Sequence, residues 1–337
     1  MNLSSGILNA ITDIPGLLAG HAQNREAGTG CSVVLCPQGV VAAVDVRGGA
    51  PGTRETDCLE PANLIREVHA VYLGGGSAFG LAGAQGVMRW LEEQGAGFDT
   101  GYGRVPIVPG AVLFDLNIGR ADLRPDADMG YSACLNARSD EARQGSIGAG
   151  TGASIGKAAG PERMMKGGIG TASLAASGPG DGGLMAGALV AVNCFGDVID
   201  PQNGAIVAGT LSPDRRSFAD SRLLLATAGD TGGGPFPAGA STTLAVVAVN
   251  AALSQSQARR VAMMAHDGLA RTIRPAHTLY DGDTVFCLAA GPLRADPSAA
   301  GELAAAALER AVLAAVRRAE SACGIPSRSD IFGGLST

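Results

Sequence analysis

Short runs of apolar residues, many of them β-branched, recur along the chain and predict buried β-strands. They are CSVVLC (31–36), VVAAVDV (40–46), ALVAVN (188–193) and TLAVVAVN (243–250). The runs are nearly continuous and do not alternate with polar residues, which indicates sheets covered on both faces. Longer segments of helical character lie between them. The pattern therefore predicts an α/β or α+β protein built as a layered sandwich.

Three segments carry apolar residues at helical spacing and predict helices with one buried face. They span residues 78–93, the residues that follow Ser254, and residues 299–323. Ser254 is suited to begin the second helix, because its hydroxyl can accept a hydrogen bond from a backbone N–H of the first turn. We expect each of these helices to be buried along one side.

The stretch from residue 211 to residue 240 differs from the rest of the chain. It begins with the charged run SPDRRSFADSR and ends in GDTGGGPFPAGA. Because Gly and Pro at this density oppose regular structure, the sequence predicts an exposed linker that a cleavage reaction could reach.

Composition narrows the possible partners and the compartment. The 337 residues are 46% hydrophobic and 17% charged, with a formal net charge of -6 and no block of Lys or Arg. Neither nucleic acid nor an anionic membrane is therefore expected as a partner. No apolar run reaches the roughly 20 residues of a membrane-spanning helix, and no export signal is visible. The seven Cys form no CxxC pair and favour reduced thiols, so we expect a soluble cytoplasmic protein.

Two glycine-rich stretches suggest nucleotide loops but match the known motifs poorly. In residues 145–160 the glycine spacing is too short for a phosphate loop, and Lys157 is not followed by Ser or Thr. In residues 71–80, Phe79 stands where a dinucleotide motif needs its third glycine. The four His have no metal-ligand spacing, and no GxSxG motif is present. These patterns disfavour a nucleotide site, a metal site and an α/β-hydrolase nucleophile.

Three consecutive hydroxyl residues follow the linker, in PAGASTTLAVVAVN (237–250). One interpretation is the ordinary start of a strand, where Ser and Thr are common. The other is self-cleavage, in which a hydroxyl attacks the preceding carbonyl, forms an ester, and water releases a chain that begins with Thr242. Thr242 would then carry both a hydroxyl and a free α-amine. An α-amine has a pKa of about 7.7 to 8.0 and can serve as the general base, so no His is required.

Five motifs spread over nearly the whole chain carry a family resemblance. They are ITDIPG (11–16), VDVRGGAPGTRETD (44–57), GGSAFGL (75–81), VPIVPGAVLFDL (105–116) and YDGDTVF (280–286). With these motifs the chain resembles the DmpA-like aminopeptidases, which include L-aminopeptidase/D-esterases, β-peptidyl aminopeptidases and the nylon-oligomer endo-hydrolase. The resemblance implies an α/β fold, a four-layer αββα sandwich of the DmpA and ornithine acetyltransferase type. It also implies a single domain over 1–337, self-cleavage into chains 1–241 and 242–337, and homo-oligomers.

The resemblance also implies site residues. The family's Asn-Thr-Thr cleavage motif falls on Ser241, Thr242 and Thr243, so Thr242 is the expected nucleophile. Because Ser241 replaces the Asn, the hydroxyls of Ser241 and Thr243 stay open as alternatives. The family's lysine matches Lys157, whose charge would favour an unprotonated amine on the nucleophile. The family's strand-end asparagine matches Asn193, whose amide could donate to the developing oxyanion.

The remaining matches concern the tuning of the nucleophile and the substrate pocket. The Asp-Gly-Asp of the nylon-type members matches Asp281, Gly282 and Asp283, where the classical aminopeptidases carry Ser and Glu. The two carboxylates would orient and tune the amine and hydroxyl of the nucleophile. In this motif the chain resembles the amidase branch of the family more than the classical aminopeptidases. Val112 and Phe114 stand where the aminopeptidases place a Glu and a Tyr in the pocket, so recognition of a free substrate amine is not implied.

The leading hypothesis is an autoprocessed hydrolase of peptide or other amide bonds, which needs no metal or organic cofactor. Its substrate would be a small amide or a short peptide. Two alternatives stay open. One is an acyltransferase of the ornithine acetyltransferase type, and the other is a non-catalytic glycine-rich binding protein that never cuts itself.

Overall fold

Strands and helices alternate along the whole of the chain that the structure, a computed structural model, describes: residues 3–176, 182–228 and 240–333. The strands are β1 (Leu18–Asn24), β2 (Thr29–Val46), β3 (Thr53–Arg54), β4 (Glu67–Gly74), β5 (Phe98–Asp99), β6 (Arg104–Val105), β7 (Gly110–Val112), β8 (Ser154–Ile155), β9 (Met165–Lys166), β10 (Gly168–Ala175), β11 (Met185–Asn193), β12 (Asp197–Ile199), β13 (Ile206–Ala208), β14 (Thr242–Ala251), β15 (Ile273–Arg274) and β16 (Thr284–Leu293). The α-helices are α1 (Gly83–Glu93), α2 (Ala127–Leu135), α3 (Ser221–Thr227), α4 (Gln255–Thr272), α5 (Pro297–Arg317) and α6 (Arg328–Phe332).

One large sheet organises the fold. Its strands follow the order β10-β11-β14-β16-β2-β4-β7-β3, and β1 pairs with β2 beside this path. β2 is 18 residues long, and its register with β4 shifts between Leu35 and Val40. The first part of β2 pairs with β1 and the last part with β16. This long strand therefore connects two halves of the sheet, one containing β10, β11, β14 and β16 and the other containing β1, β4, β7 and β3.

Three apolar cores separate four layers. Side chains from both halves of the sheet meet in the central core, including Val34 and Val71 from one half and Leu244 and Phe286 from the other. The helices α4 and α5 pack on the outer face of the β10 half. The helices α1 and α2 pack on the outer face of the other half. The order helix, sheet, sheet, helix is the αββα sandwich that the family resemblance implies, and the predicted fold class is confirmed.

The predicted strands are present, with one difference. The runs 188–193 and 243–250 lie within β11 and β14. The runs 31–36 and 40–46, which the sequence presents as two strands, form the single strand β2. Gly39 lies between the two runs with a φ of 80°, a conformation that glycine adopts easily, so the strand can bend without ending.

The predicted helices also differ from the structure mainly at their ends. The segment 78–93 begins as a 3-10 helix at Ser77–Ala82 and continues as α1. Ser254 caps α4 as predicted, since its side chain accepts a hydrogen bond from the N–H of Gln257. The last predicted helix ends at Arg317, six residues early, because the N–H of Glu320 turns away to the hydroxyl of Ser146.

The predicted linker is only partly covered by the structure. Residues 213–217 are exposed, and α3 follows them with a capping Asp220. Residues 229–239, which carry most of the Gly and Pro of this stretch, lie outside the described residues. Their predicted role as a cuttable linker stays a prediction.

Candidate active site

Strand alternation decides which way the three hydroxyl residues face. β14 begins at Thr242, which lies directly opposite Asn193, the last residue of β11. Leu244, two residues after Thr242, lies in the central core between the sheet halves. Ala245, two residues after Thr243, lies in the core under α4 and α5. Since side chains of a strand alternate between faces, Thr242 and Asn193 face the space between the sheet halves and Thr243 faces the helices.

The peptide group between Ser241 and Thr242 is held by the turn that precedes β16. The Ser241 carbonyl oxygen accepts a hydrogen bond from the N–H of Gly282 at 3.0 Å. The Ser241 N–H donates to the carbonyl of Tyr280 at 3.2 Å. The hydroxyl of Thr242 contacts the same Ser241 carbonyl oxygen. A backbone donor and a hydroxyl therefore converge on one carbonyl group.

Gly282 leaves the room for this contact. A Cβ atom on Gly282 would lie 2.8 Å from the Thr242 Oγ1 and 2.7 Å from the carbonyl oxygen of Ala50. Both distances are shorter than ordinary van der Waals contacts, so any larger residue would push on the hydroxyl.

The other two hydroxyls lack such a contact. Within the described part of the chain, the buried Oγ of Ser241 and the buried Oγ1 of Thr243 have no hydrogen-bond partner. Of the three candidate nucleophiles, Thr242 is the one whose oxygen reaches the preceding carbonyl group. The geometry thus favours Thr242 over its two neighbours.

Lys157 joins the glycine-rich loop to the chain just before Thr242. Its side chain is fully buried, and its Nζ donates to the carbonyl of Ala240 at 2.7 Å. The Nζ also donates to the Oδ1 of Asn193 at 3.0 Å and to the carbonyl of Asn193 at 3.1 Å. Burial lowers the pKa of Lys157 to about 8, because a low-dielectric interior disfavours the charged ammonium. The lysine thus contacts both the segment that leads into Thr242 and the residue opposite Thr242.

Asn193 has a defined amide orientation. Its Oδ1 faces two donors, the Nζ of Lys157 and the N–H of Ser154 at 2.9 Å. Its Nδ2 donates to the carbonyl of Phe114 at 3.0 Å. Two donors around one atom identify it as the oxygen. The amide has a second N–H, which the predicted oxyanion role would use.

The two carboxylates of the Asp-Gly-Asp motif have different surroundings. Asp281 accepts from the N–H of Phe195 at 3.0 Å and from the hydroxyl of Thr278 at 2.6 Å. Burial, together with the negative charge of Asp283, raises the pKa of Asp281 to about 7. Asp283 accepts from the N–H of Thr243 at 2.7 Å. Asp283 therefore binds the residue that follows the predicted nucleophile.

The structure adds a histidine that the sequence did not reveal. The Nδ1 of His277 lies 2.8 Å from the Oδ2 of Asp283, and the His277 N–H donates to the same oxygen at 3.0 Å. The four His have no metal-ligand spacing in the sequence, and a single His with an acid six residues later is not a recognisable motif. Only the turn between β15 and β16 brings the two side chains together.

The two predicted pocket residues lie in different places. Phe114 packs in a small apolar cluster with Ala240, next to Ser241. Val112 packs in the core under α1 and α2, and only 3% of its surface is exposed. The structure thus brings Phe114 to the segment just before Thr242 and does not bring the Val112 side chain there. Contact of either residue with substrate stays a prediction.

The glycine-rich stretch 145–160 is a buried packing loop. A second fully buried lysine, Lys166, donates from its Nζ to the carbonyls of Gly150, Thr151 and Ala153 at 3.2, 3.1 and 2.7 Å. A Cβ on Gly156 would lie 2.1 Å from the backbone of Gly209. Close backbone packing therefore explains the glycines here, and the loop presents Lys157 to the site.

Other features lie away from Thr242. A cavity of about 750 Å³ is lined by His21, Ala22, Gln23, Ser132, Leu135, Asn136, Arg138 and Arg143. It includes none of the predicted site residues. The described ranges contain no cluster of three or more His, Cys, Asp or Glu placed to bind a metal ion. They also contain no helix with the length and apolarity needed to cross a membrane.

Residues 9–329 match peptidase family S58, and this match spans nearly the whole chain. The chain belongs to peptidase family S58. It is a hydrolase of amide bonds, and the resemblance found in the sequence is confirmed. The acyltransferase and the non-catalytic binding protein are not supported.

Relatives of this S58 member include peptidases and amide hydrolases. An uncharacterized aminopeptidase of Mycobacterium tuberculosis is 46% identical and aligns over 97% of this chain and 99% of its own length. The 6-aminohexanoate-oligomer endohydrolase of a Kocuria species is 29% identical over 82% of this chain and 73% of its own length.

Solved structures share the fold of this S58 member. The L-aminopeptidase D-Ala-esterase/amidase of Ochrobactrum anthropi, described as a variant of the Ntn-hydrolase fold, superposes with a TM-score of 0.72 at 19% identity. That match covers 97% of this chain and 91% of the other. A β-aminopeptidase of a Burkholderia species superposes with a TM-score of 0.70 at 20% identity, covering 99% and 95% of the two chains.

Proposed function

We propose that the uncut chain cleaves itself between Ser241 and Thr242, and that Thr242 is then the nucleophile of the amide hydrolase. The observation that supports this most directly is the convergence of the Thr242 hydroxyl and the Gly282 N–H on the Ser241 carbonyl group. Cleavage would divide the 337 residues into chains 1–241 and 242–337, the second of 96 residues.

The proposed self-cleavage is an N-to-O acyl shift followed by hydrolysis. The Thr242 oxygen attacks the Ser241 carbonyl carbon, and its proton passes to the leaving nitrogen as the C–N bond breaks. The Gly282 N–H, which donates to the Ser241 oxygen at 3.0 Å, stabilises the negative charge that develops there. Water then hydrolyses the ester, leaving a carboxylate on Ser241 and a free amine on Thr242.

The cleaved enzyme would use that amine as a general base. The amine takes the proton of the Thr242 hydroxyl as the oxygen attacks the substrate carbonyl, and returns it to the substrate nitrogen as the C–N bond breaks and the product amine leaves. Water then hydrolyses the acyl-enzyme, which releases the acid and restores the Thr242 hydroxyl. Lys157 donates to the carbonyl of Ala240, two residues before Thr242, so its positive charge would lie close to the new α-amine of Thr242. A nearby positive charge favours the unprotonated form of that amine. Asn193, directly across from Thr242, is positioned to donate its second amide N–H to the oxyanion.

The substrate is proposed to be a small amide or a short peptide, as the names of the relatives suggest. The Asp281 and Asp283 pair favours an amide other than a classical aminopeptidase substrate, because the resemblance places the chain with the nylon-type members. We further propose a homo-oligomer that acts in the cytoplasm. Five of the seven unpaired cysteines are buried, which fits a reducing compartment.

The test is the fate of the chain after purification. Denaturing electrophoresis and intact mass should show two chains, and N-terminal sequencing of the smaller should read TTLAVV. Thr242→Ala should stay uncut and inactive. Ser241→Ala and Thr243→Val remove the neighbouring hydroxyls, which have no partners in the described structure, and both variants should still be cut. An uncut wild-type chain with amidase activity would refute the proposal, as would cleavage of Thr242→Ala.

A further inference from the structure

The pair formed by His277 and Asp283 contacts the start of β14 at Thr243, the residue after Thr242. Asp283 is almost completely buried, with 1% of its surface exposed. Its Oδ1 accepts from the N–H of Thr243 at 2.7 Å, and its Oδ2 accepts from the ring and the backbone of His277 at 2.8 and 3.0 Å. Among the described residues, His277 is the one basic side chain within 4 Å of this carboxylate.

The two carboxylates of the site have different basic neighbours. The buried ammonium of Lys157 acts on Asp281 through space. The ring of His277 contacts Asp283 directly. A buried carboxylate without a donor is strongly disfavoured, so the ring stabilises Asp283 in the position where it binds Thr243.

The hydrogen bonds determine the state of the rings. A carboxylate only accepts, so the Nδ1 of His277 carries the proton in the bond to Asp283. Its ring packs edge-on against His266, with 4.8 Å between the ring centroids. The Nε2 of His266 lies 3.0 Å from the carbonyl oxygen of Asp45, and burial lowers the pKa of His266 to about 4. His266 is therefore neutral at physiological pH, and it restrains the His277 ring by packing.

We propose that His277 is a positioning residue for Thr242. Its ring orients Asp283, Asp283 binds the N–H of Thr243, and this bond fixes the start of β14 and the direction of the Thr242 hydroxyl. The inference rests on the proposed function of Thr242. It assigns no contact between His277 and the reacting atoms.

A purely conformational role is the competing explanation. His277 has a φ of 58°, a left-handed conformation in which Gly is favoured and Asn and His are tolerated. His277→Gly keeps this conformation and the backbone N–H that donates to Asp283, and removes only the ring. His277→Asn also accepts the conformation and restores a side-chain donor.

The experiment follows cell-free synthesis of each full-length variant and measures the rate of cleavage before Thr242. The cleaved forms are then purified, and kcat and KM are measured with a soluble 6-aminohexanoate oligomer, the substrate in the name of one relative. For His277→Gly we expect the cleavage rate and kcat each to fall about tenfold or more, with KM unchanged. This is the size of effect expected when a hydrogen bond to a charged group is lost. His277→Asn should recover most of both. His69→Asn serves as the matched control because the Nδ1 of His69 accepts from the N–H of Ile107 and not from the site, and its rates should equal those of wild type.

The possible outcomes distinguish a failure of the role proposed for His277 from a failure of the role proposed for Thr242. His277→Gly with wild-type cleavage and kcat overturns the inference while leaving Thr242 as nucleophile. A rise in KM with unchanged kcat also overturns it, because positioning of the nucleophile acts on the chemical step. An active wild-type chain that is never cut before Thr242 overturns both proposals.

Discussion

The Nζ of Lys157 lies 2.7 Å from the carbonyl oxygen of Ala240, two residues before Thr242. This bond connects a glycine-rich loop of the first part of the chain to the junction proposed for cleavage. The same ammonium donates to Asn193, which lies across from Thr242. One buried ammonium thus binds both the segment before Thr242 and the residue opposite it.

Replacing Lys157 by Met should give a folded chain that stays uncut. The substitution removes the cation and leaves the Ala240 and Asn193 oxygens without their donor. Lys166→Met is the matched control, since it also removes a fully buried ammonium, but one that donates to the carbonyls of Gly150, Thr151 and Ala153. We expect Lys166→Met to lower the melting temperature while the folded fraction is still cut. Electrophoresis and thermal melting measure both, and efficient cleavage of Lys157→Met would contradict the role given to this residue.

The rate of hydrolysis should fall as pH rises through about 8. Burial lowers the pKa of Lys157 to about 8, so its ammonium is present below that pH and is lost above it. The cleavage rate of the uncut chain should show the same falling limb. Initial rates from pH 6 to pH 10 in constant ionic strength measure it. Rates that keep increasing above pH 9 would show that the charge of Lys157 is not required.

The free energy of unfolding should depend on pH through Asp281. Its pKa in the folded protein is raised from 3.8 to about 7, so its protonation stabilises the fold fully below pH 3.8. That contribution is lost as pH rises through about 7. The free energy of unfolding of wild type minus that of Asp281→Asn should therefore decrease from pH 4 to pH 8. Urea unfolding at each pH measures this difference in the free energy of unfolding. The contributions of titrating groups that both proteins share cancel in the subtraction. A difference that increases with pH would contradict the raised pKa.

Gly282→Ala should slow self-cleavage. The added methyl group would lie 2.8 Å from the Thr242 Oγ1 and 2.7 Å from the carbonyl oxygen of Ala50, so the hydroxyl or the turn must move. Gly103→Ala is the control, because a Cβ there has no atom within 4 Å. A time course of cleavage after cell-free synthesis compares the two. Equal rates for both variants would show that the close approach of Gly282 to the hydroxyl has no role.

Asn193→Ala should lower kcat by about a hundredfold or more, the effect of removing one oxyanion donor. The substitution also removes the acceptor of Lys157 and Ser154, so stability is measured by thermal melting in parallel. Thr171→Val, which removes a buried hydroxyl of β10 that donates to the carbonyl of Ala188, tests the general effect of a lost buried hydrogen bond. A kcat for Asn193→Ala equal to that of Thr171→Val would exclude the oxyanion role.

Local pattern was sufficient for the elements that pack by hydrophobic burial. The runs in β11 and β14 and the cap at Ser254 could be predicted because strand and helix formation depend on neighbouring residues. The ends of helices and the joining of two runs into β2 could not, because they depend on partners distant in sequence. Glu320, for example, turns toward Ser146 and ends the last long helix early.

The sequence by itself determined the layered sandwich of strands and helices, and its family motifs implied the α/β class and the site residues Thr242, Lys157, Asn193, Asp281 and Asp283. Only the tertiary structure decided that Thr242, and not Ser241 or Thr243, has its oxygen at the preceding carbonyl group, that Val112 packs in the core under α1 and α2, and that His277 is the partner of Asp283. The physical reason is that the spacing of apolar residues along the chain already indicates which face of a strand or helix is buried. A hydrogen bond depends on the positions and directions of two groups that can be far apart in sequence. Those positions depend on the whole packed chain.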